Sequence, residues 1–493
     1  MIFPDLKSFK ELCRKSPLIP VCKEIVSDFD TPVSIFYKVK EGKYNFLFES
    51  LEGGEKWGRY SFIGLNPFLI FASKDKKVFL KNKEDEEFIT NDTEDPLANL
   101  KEIINSLKPN ISNRLPRFFG GAVGFLGYDM VRFMERLPNT LEDNTGFFDS
   151  HFMFPRLLIV HDNLKQSLKI IYCVLTKEGD PIDLYNRAKE EIESTIKKII
   201  KGKDYPSYAN KEVSTVLLPE IPQDRFEDMV KKAKEYIKAG DVIQVVLSQR
   251  FSGKNFLDTF SIYRVLRRIN PSPYLYYLNL DDECLIGSSP EILVRLTDKK
   301  IDVRPIAGTR PRGKTKEEDL ALEKDLLADP KERAEHLMLV DLGRNDVGRV
   351  AKIGTVKVED LLTVERYSHV MHLVSGVTGE LEDGKDMFDV LRACFPAGTV
   401  TGAPKIRAME IIEELEAFRR GPYAGAVGYF GFSGNMDFAI TIRTLCQKKD
   451  MLYLQAGAGI VADSDPTREW QETINKGKAL MRTLELLQDE EMS

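Results

Sequence analysis

GAVGFLGY (Gly121–Tyr128) and GAVGYFGF (Gly425–Phe432) are two copies of one pattern set far apart in the chain. Each alternates small and large apolar residues, as a buried strand would, and glycine inside a strand marks close approach of another backbone or a ligand. The separation is too great for a solenoid array. The copies read as equivalent strands in two halves of one composite core; the alternative is chance recurrence of a common small-residue pattern.

Between the copies the chain supplies the elements such a core needs. Phe152 to Val160 and Leu168 to Leu175 are apolar runs of strand length. From Leu184 to Ile200 the period changes: Ala188, Ile192 and Ile196 recur every four residues, which predicts a helix. Residues 203–222 carry Pro, Gly and polar punctuation without a sustained period and read as a linker between segments 1–202 and 223–493. Beyond it, Asp224 and Glu227 give a D-x-x-E helix start, and Phe226, Val230, Ala233 and Ile237 form an apolar stripe ending at Gly240, a C-cap residue. DVIQVVLSQRF (241–251) is β-branched, so Gln244, Val246, Ser248 and Arg250 share one strand face.

Composition limits the function classes. Of 493 residues, 42% are hydrophobic and 30% charged, enough for a sizeable core and too polar for a membrane span. The formal charge of −6, with lysines interleaved among glutamates, offers no clustered basic groove for nucleic acid. Six scattered cysteines without a C-x-x-C pair fit reduced thiols, and MIFPDLKSFKELCRKS has no apolar signal region, so the expectation is a cytoplasmic protein.

GTRPRGKT (Gly308–Thr315) matches the phosphate-loop pattern in full, and LMLVD (Leu337–Asp341) could serve as its acidic strand, which makes a nucleotide-binding protein a competitor. Against it, Pro311 supplies no N–H to a phosphate, and Arg304 and Pro305 interrupt the preceding strand. LMLVD follows Asp329-Pro330, a helix start, and is expected to be helical.

Two helix starts resemble each other, DPKERAEHLML from Asp329 and DPTREWQETINKGKAL from Asp465. Each carries two glutamates three apart on one helix face, Glu332 with Glu335 and Glu469 with Glu472. Singly, such glutamates are ordinary helix-dipole decoration. Two matched pairs facing one another would repel without a cation between them, and a few carboxylates plus water and an anionic substrate suit Mg²⁺. No His or Cys cluster suggests zinc. Three of the five histidines, His336, His369 and His372, fall near the first pair, and His369 and His372 point to opposite faces of a β-rich segment.

With these features in hand, the chain resembles the anthranilate synthase component I family of chorismate-utilising enzymes over nearly its whole length. The resemblance is carried by GSSPE (287–291), PIAGTR (305–310), EHLMLVDLGRND (335–346), ERYSHVMHLVS (365–375), FPAGTVTGAPK (395–405), GPYAGAVGYF (421–430), IRT (442–444) and QAGAGIV through ETINK (455–476). It implies an α+β fold whose stacked, largely antiparallel sheets form a β-sandwich core flanked by helices, with an N-terminal regulatory part and a C-terminal chorismate-binding part. It absorbs the first half of GTRPRGKT into PIAGTR.

The resemblance also implies roles. Glu335 and Glu469 would bind Mg²⁺, with Glu332 and Glu472 directly or through water. Gln244, Gly308, Thr309, Tyr423, Arg443, Gly457, Ala458, Gly459 and Lys476 would contact chorismate; an Arg fork and backbone N–H groups suit its carboxylates. Glu291, as a protonated acid, His372 and Thr399 would be catalytic. Relatives that make isochorismate or salicylate carry a lysine where this chain has Gln244, and an amide cannot deprotonate water. Relatives that make 4-amino-4-deoxychorismate carry a nucleophilic lysine where Ala307 stands, and a methyl group forms no adduct. Both departures favour anthranilate. None of the cysteines sits in a G-x-C-x-G elbow, so ammonia would come from a separate glutamine amidotransferase subunit (component II), expected in a heterotetramer, or from free ammonium. Feedback inhibition by L-tryptophan is implied at Glu49, Ser50, Pro271, Ser272, Tyr274 and Tyr429. A non-catalytic tryptophan-binding relative and an aminodeoxychorismate synthase component I are the remaining alternatives.

Overall fold

In the computed structural model, strand Gly121–Leu126 lies antiparallel to strand Ala426–Gly431 with Gly124 opposite Gly428. The two sequence copies are therefore direct neighbours across one sheet. A Cβ at Gly124 would sit 2.0 Å from the His151 carbonyl oxygen, and one at Gly428 would sit 2.0 Å from that of Asp437, so any larger residue would push the flanking strands apart. The structure describes residues 2–50, 58–82, 85–110, 115–202, 214–367 and 370–488; His369 and residues 203–213 of the expected linker lie outside them.

From Gly121–Leu126 the sheet runs outward through Ser150–Asp162 to Tyr60–Lys74 and Ser167–Leu175, all antiparallel. Strand Tyr44–Glu49 then joins Tyr60–Lys74 to Tyr274–Leu280, with Leu47 opposite Tyr277. Beyond lie Glu283–Ser289, Thr444–Lys448, Met451–Ile460 and Gln244–Lys254. On the other side, Ala426–Gly431 continues through Met436–Ile440 and Ile292–Thr297. The sheet thus crosses between residues 1–202 and 223–493 at two places. The cores are equally shared: Phe152 meets Phe430 at 5.8 Å between ring centroids, and Phe36 meets Phe260 at 4.9 Å. The boundary read at 203–222 divides the sequence but not the packing, because neither segment can bury its sheet edges alone.

Helix Pro181–Lys201 buries Leu184, Ala188, Ile192 and Ile196, as its period predicts. Helix Gln223–Ala239 ends at Gly240 in the left-handed region (φ +85°). Its N-cap is Pro222, without a side-chain cap, so Asp224 belongs to the first turn and the D-x-x-E helix start is corrected by two positions. Leu337–Asp341 lies inside helix Pro330–Gly348. The phosphate-loop alternative fails on its amides: Gly313 N–H donates to Asp319 and Lys314 N–H to Glu318, so the loop's donors are taken by its own carboxylates. Among the described residues no helix is long and apolar enough to cross a membrane.

Candidate active site

One wall is built on strand Ile306–Pro311, which pairs with Val370–Glu380 and bulges between Ala307 and Thr309. The bulge places Gly308 in the left-handed region (φ +65°) and sets Thr309 opposite His372. His372 Nδ1 lies 2.9 Å from the Gly308 carbonyl oxygen and 3.1 Å from Thr309 Oγ1. A carbonyl only accepts, so Nδ1 carries the hydrogen and Nε2 of the neutral ring keeps its lone pair. Burial lowers the imidazole's pKa, which favours that neutral form. His336 is different: it is fully buried, its Nε2 is 2.7 Å from Ser375 Oγ, and burial pushes it down to about 4, so it is a core histidine.

The first glutamate pair stands on helix Pro330–Gly348, whose N-cap Asp329 accepts from the Lys331 and Glu332 amides. Arg310, which the sequence reading passed over, ties this helix start to the bulge strand through Asp325 (2.7 Å), Asp329 (2.8 Å) and Glu332 (3.3 Å). Partial burial and then the neighbouring Glu335 push Glu332 up, against the pull of Arg310. The second pair stands on helix Pro466–Leu486, capped by Asp465. Burial raises Glu469 and the Glu472 charge adds to this, while Ser464 and Lys476 oppose it. Lys331 of the first helix start reaches Asp463 before the second at 3.7 Å, so the two are neighbours. Among the described residues no group of three or more His, Cys, Asp or Glu side chains is assembled as a metal site. The oxygen-only donors and the crowding within each pair suit a hard divalent cation.

The opposite wall is the ladder between Gln244–Lys254 and Met451–Ile460, which sets Val246, Leu247 and Ser248 opposite Gly459, Ala458 and Gly457. A Cβ on Gly459 would lie 2.4 Å from Gln244 Nε2, and one on Gly457 2.7 Å from the Tyr423 hydroxyl. Glycine here lets both polar groups lie against the backbone. Gln244 Nε2 also approaches Glu335 Oε1 at 3.5 Å, which joins the two walls. Lys476 donates to the Gly457 carbonyl at 2.8 Å and pairs with Glu472 at 2.6 Å. Arg443, itself left-handed (φ +51°), donates to the Lys476 carbonyl at 2.8 Å. Burial lowers the Arg443 pKa, while Tyr423 and Glu472 oppose the shift.

Glu291 completes the cleft. It follows strand Glu283–Ser289 and is 9% exposed, and burial pushes its carboxyl up to about 8, with Thr399 and Lys476 pulling the other way. At neutral pH it therefore carries a proton. The Thr399 hydroxyl sits near enough to act on it yet makes no hydrogen bond of ordinary length, leaving a buried polar atom unpaired among the described residues. Both residues line a cavity of about 380 Å³ with Pro305, Leu342 and Ile440. The proposed active-site residues thus gather in one cleft: Lys476 acts on Glu291 and Glu469, and Arg443 on His372.

A second cavity, about 550 Å³, is lined by Glu49, Ser50, Tyr274 and Tyr429 together with Arg117 and Arg295. Pro271 and Ser272 are not on its wall; Pro273 takes that place. Glu49 is buried and held by Tyr263 (2.5 Å) and Arg267 (2.8 Å). Asp437 accepts from Tyr274 at 2.9 Å and from Arg295 at 2.8 Å, a polar lining that no local motif announces.

Known proteins resemble the chain over nearly its whole length. The profile of the chorismate binding enzyme family matches residues 45–482. Anthranilate synthase component 1 of Aquifex aeolicus is 51% identical over 490 residues, 98% of each chain. That of Acetivibrio thermocellus is 48% identical, covering 98% of this chain and 99% of its own. The crystal structure of anthranilate synthase component I from Streptococcus pneumoniae superposes with a TM-score of 0.78 at 38% identity, over 93% of this chain and 99% of that one. The menaquinone-specific isochorismate synthase of Escherichia coli, 20% identical, shares the fold with a TM-score of 0.72 over 97% of this chain and 98% of its own. The α+β fold, the cleft and these relatives agree: the chain belongs to the chorismate binding enzymes, in the anthranilate synthase component 1 family.

Proposed function

We propose that the chain converts chorismate and ammonia into anthranilate, pyruvate and water, the first committed step of tryptophan biosynthesis. The observation that carries this is Glu291, a buried carboxyl holding its proton at neutral pH beside a cleft with basic groups. Ammonia adds at C2 while the Glu291 proton goes to the departing 4-hydroxyl, which leaves as water. The added nitrogen returns a proton to Glu291; the His372 Nε2 lone pair then takes the C2 proton as the ether C–O bond breaks and the ring becomes aromatic, and the departing enolpyruvate takes that proton at its methylene carbon to become pyruvate. Tyr423, Arg443, Lys476 and the Gly457–Gly459 amides hold the carboxylates, with Gly308 and Thr309 closing the other side. Gln244 supplies an amide where water activation would need a base, and Ala307 no nucleophile, which favours this outcome over isochorismate or aminodeoxychorismate.

Glu335 and Glu469, supported by Glu332 and Glu472, would hold Mg²⁺. When bound, the ion neutralises and orients the ring carboxylate. The nitrogen comes from glutamine through a component II amidotransferase subunit, with a heterotetramer as the assembly, and L-tryptophan inhibits from the cavity of Glu49, Ser50, Tyr274 and Tyr429. The reading places the enzyme in the reducing cytoplasm, in keeping with six free cysteines. Purified chain given chorismate, Mg²⁺ and an ammonium salt at alkaline pH should generate anthranilate fluorescence. Accumulation of 4-amino-4-deoxychorismate or isochorismate instead would overturn the assignment.

A further inference from the structure

Each of the two acidic helices is pinned to a strand by a buried polar bond, and the two pins occupy the same helical position. On helix Pro330–Gly348 the pin is His336, four residues after Glu332 and one after Glu335. On helix Pro466–Leu486 it is Thr473, four residues after Glu469 and one after Glu472. At roughly 100° of rotation per residue, each pin therefore stands at the same angle from its glutamates around the helix axis.

His336 Nε2 lies 2.7 Å from Ser375 Oγ. Ser375 is itself fixed, since its Oγ accepts from the Leu362 amide at 3.0 Å and its N–H donates to the Pro305 carbonyl at 3.3 Å. It sits on strand Val370–Glu380 three residues beyond His372, so the bond ties the first glutamate pair to the strand that carries His372. On the second helix, Thr473 Oγ1 donates to the Trp470 carbonyl at 2.7 Å and accepts from Gln249 Nε2 at 2.5 Å. Gln249 belongs to strand Gln244–Lys254, whose first residue approaches Glu335. His336, Ser375, Gln249 and Thr473 are all at most 1% exposed.

Apolar side chains could fill these places with every buried atom content. Instead each bond leaves one buried atom unpaired among the described residues, His336 Nδ1 in the first and Gln249 Oε1 in the second. Such atoms oppose stability, and packing alone has no need of them. What a hydrogen bond supplies and an apolar contact does not is direction, so it can fix the rotation of a helix about its own axis. That rotation decides where glutamates three apart on one face point. Like charges in the two pairs favour turning away from one another, so the rotation has to be imposed from outside the pairs.

We propose that His336, bonded to Ser375, and Gln249, bonded to Thr473, are positioning residues that hold the two helices at the rotation in which their glutamates can share one divalent cation. The proposal rests on the reading that Glu335 and Glu469, with Glu332 and Glu472, hold Mg²⁺. The pins act through the helices, and no reacting group passes through them.

The test reads metal binding by the full chain without substrate or turnover. Mn²⁺, which shares the oxygen-ligand preference of Mg²⁺, is titrated in and the free ion is measured by electron paramagnetic resonance. His336→Leu and Gln249→Met keep the bulk and remove each bond, whereas His336→Gln and Thr473→Ser keep a polar atom at the bonding position. The Mn²⁺ Kd should rise about tenfold or more in the first two variants and stay within about twofold of the parent in the other two. Melting temperatures of the metal-free chains should stay close to the parental value throughout, because the apolar variants also remove the unpaired atoms. Parental Mn²⁺ affinity in either apolar variant, an equal rise in Kd in the polar-conserving ones, or a rise that appears only together with loss of the metal-free fold would overturn the positioning role. If the parental chain binds no Mn²⁺, the metal reading itself is wrong and the pins fall with it.

Discussion

Replacing Glu291 by glutamine should separate two consequences of one buried carboxyl. Burial holds its pKa at about 8 against an ordinary value of 4.5. At pH 7 the protonated fraction is therefore ~0.9, where an ordinary carboxyl would retain ~0.003, a roughly 300-fold gain in available acid. In the parental enzyme, kcat/KM measured at constant free-base ammonia should decline tenfold per pH unit above about 8. Glu291→Gln keeps the shape but has no proton to give, so kcat should fall by about 10²–10⁴ and the alkaline decline should disappear.

Stability should move the other way. Because the folded pKa is raised, the folded chain holds a proton that the unfolded chain releases between pH 4.5 and about 8. The contribution is fully favourable below 4.5 and is lost as pH rises through that window, by about 1.4 kcal/mol per unit and on the order of 5 kcal/mol in all. The glutamine variant does not titrate, so parent and variant should unfold alike in urea near the acid end and diverge in the variant's favour towards pH 8. Thr399→Val removes a group that pulls the carboxyl down and should carry the parental activity limb to higher pH. Identical pH slopes of unfolding for parent and Glu291→Gln would refute the reasoning, whatever happened to turnover.

Three further substitutions probe other parts of the molecule. Gly459→Ala places a methyl 2.4 Å from Gln244 Nε2 and must displace that amide; kcat/KM for chorismate should drop about 10²-fold with circular dichroism unchanged. Arg310→Lys cannot bridge Asp325, Asp329 and Glu332 with one ammonium, so the Mg²⁺ concentration for half-maximal activity should rise severalfold in a metal titration. Glu283→Gln breaks the buried set in which Glu283 meets His151 at 2.7 Å and Lys448 at 3.0 Å. Despite burial these partners hold the Glu283 carboxyl below its usual range, so the stability it contributes is present above 4.5 and lost on acidification. The variant should lose about 3–5 kcal/mol in urea unfolding at pH 7.

How far the sequence carries depends on whether a residue's meaning is local. Helix caps and periods are local, which is why Gly240 and the Leu184–Ile196 stripe are found where their spacing puts them. The GAVG copies are legible as strands of a composite core, yet their direct pairing is a long-range fact that no period encodes. That pairing joins the segments on either side of the linker in one sheet. Arg310 shows the same limit at the site: its role comes from three carboxylates on the following helices, invisible while PIAGTR is read as a motif. Glu291 is the sharpest case: the family resemblance implies a protonated acid there, but nothing local in GSSPE supplies the cause. Its raised pKa follows from burial, at 9% exposure, against the opposing pull of Thr399 and Lys476. The burial that holds the proton is made by residues distant in sequence, Pro305, Leu342 and Ile440 among them, and only the folded chain brings them together around Glu291.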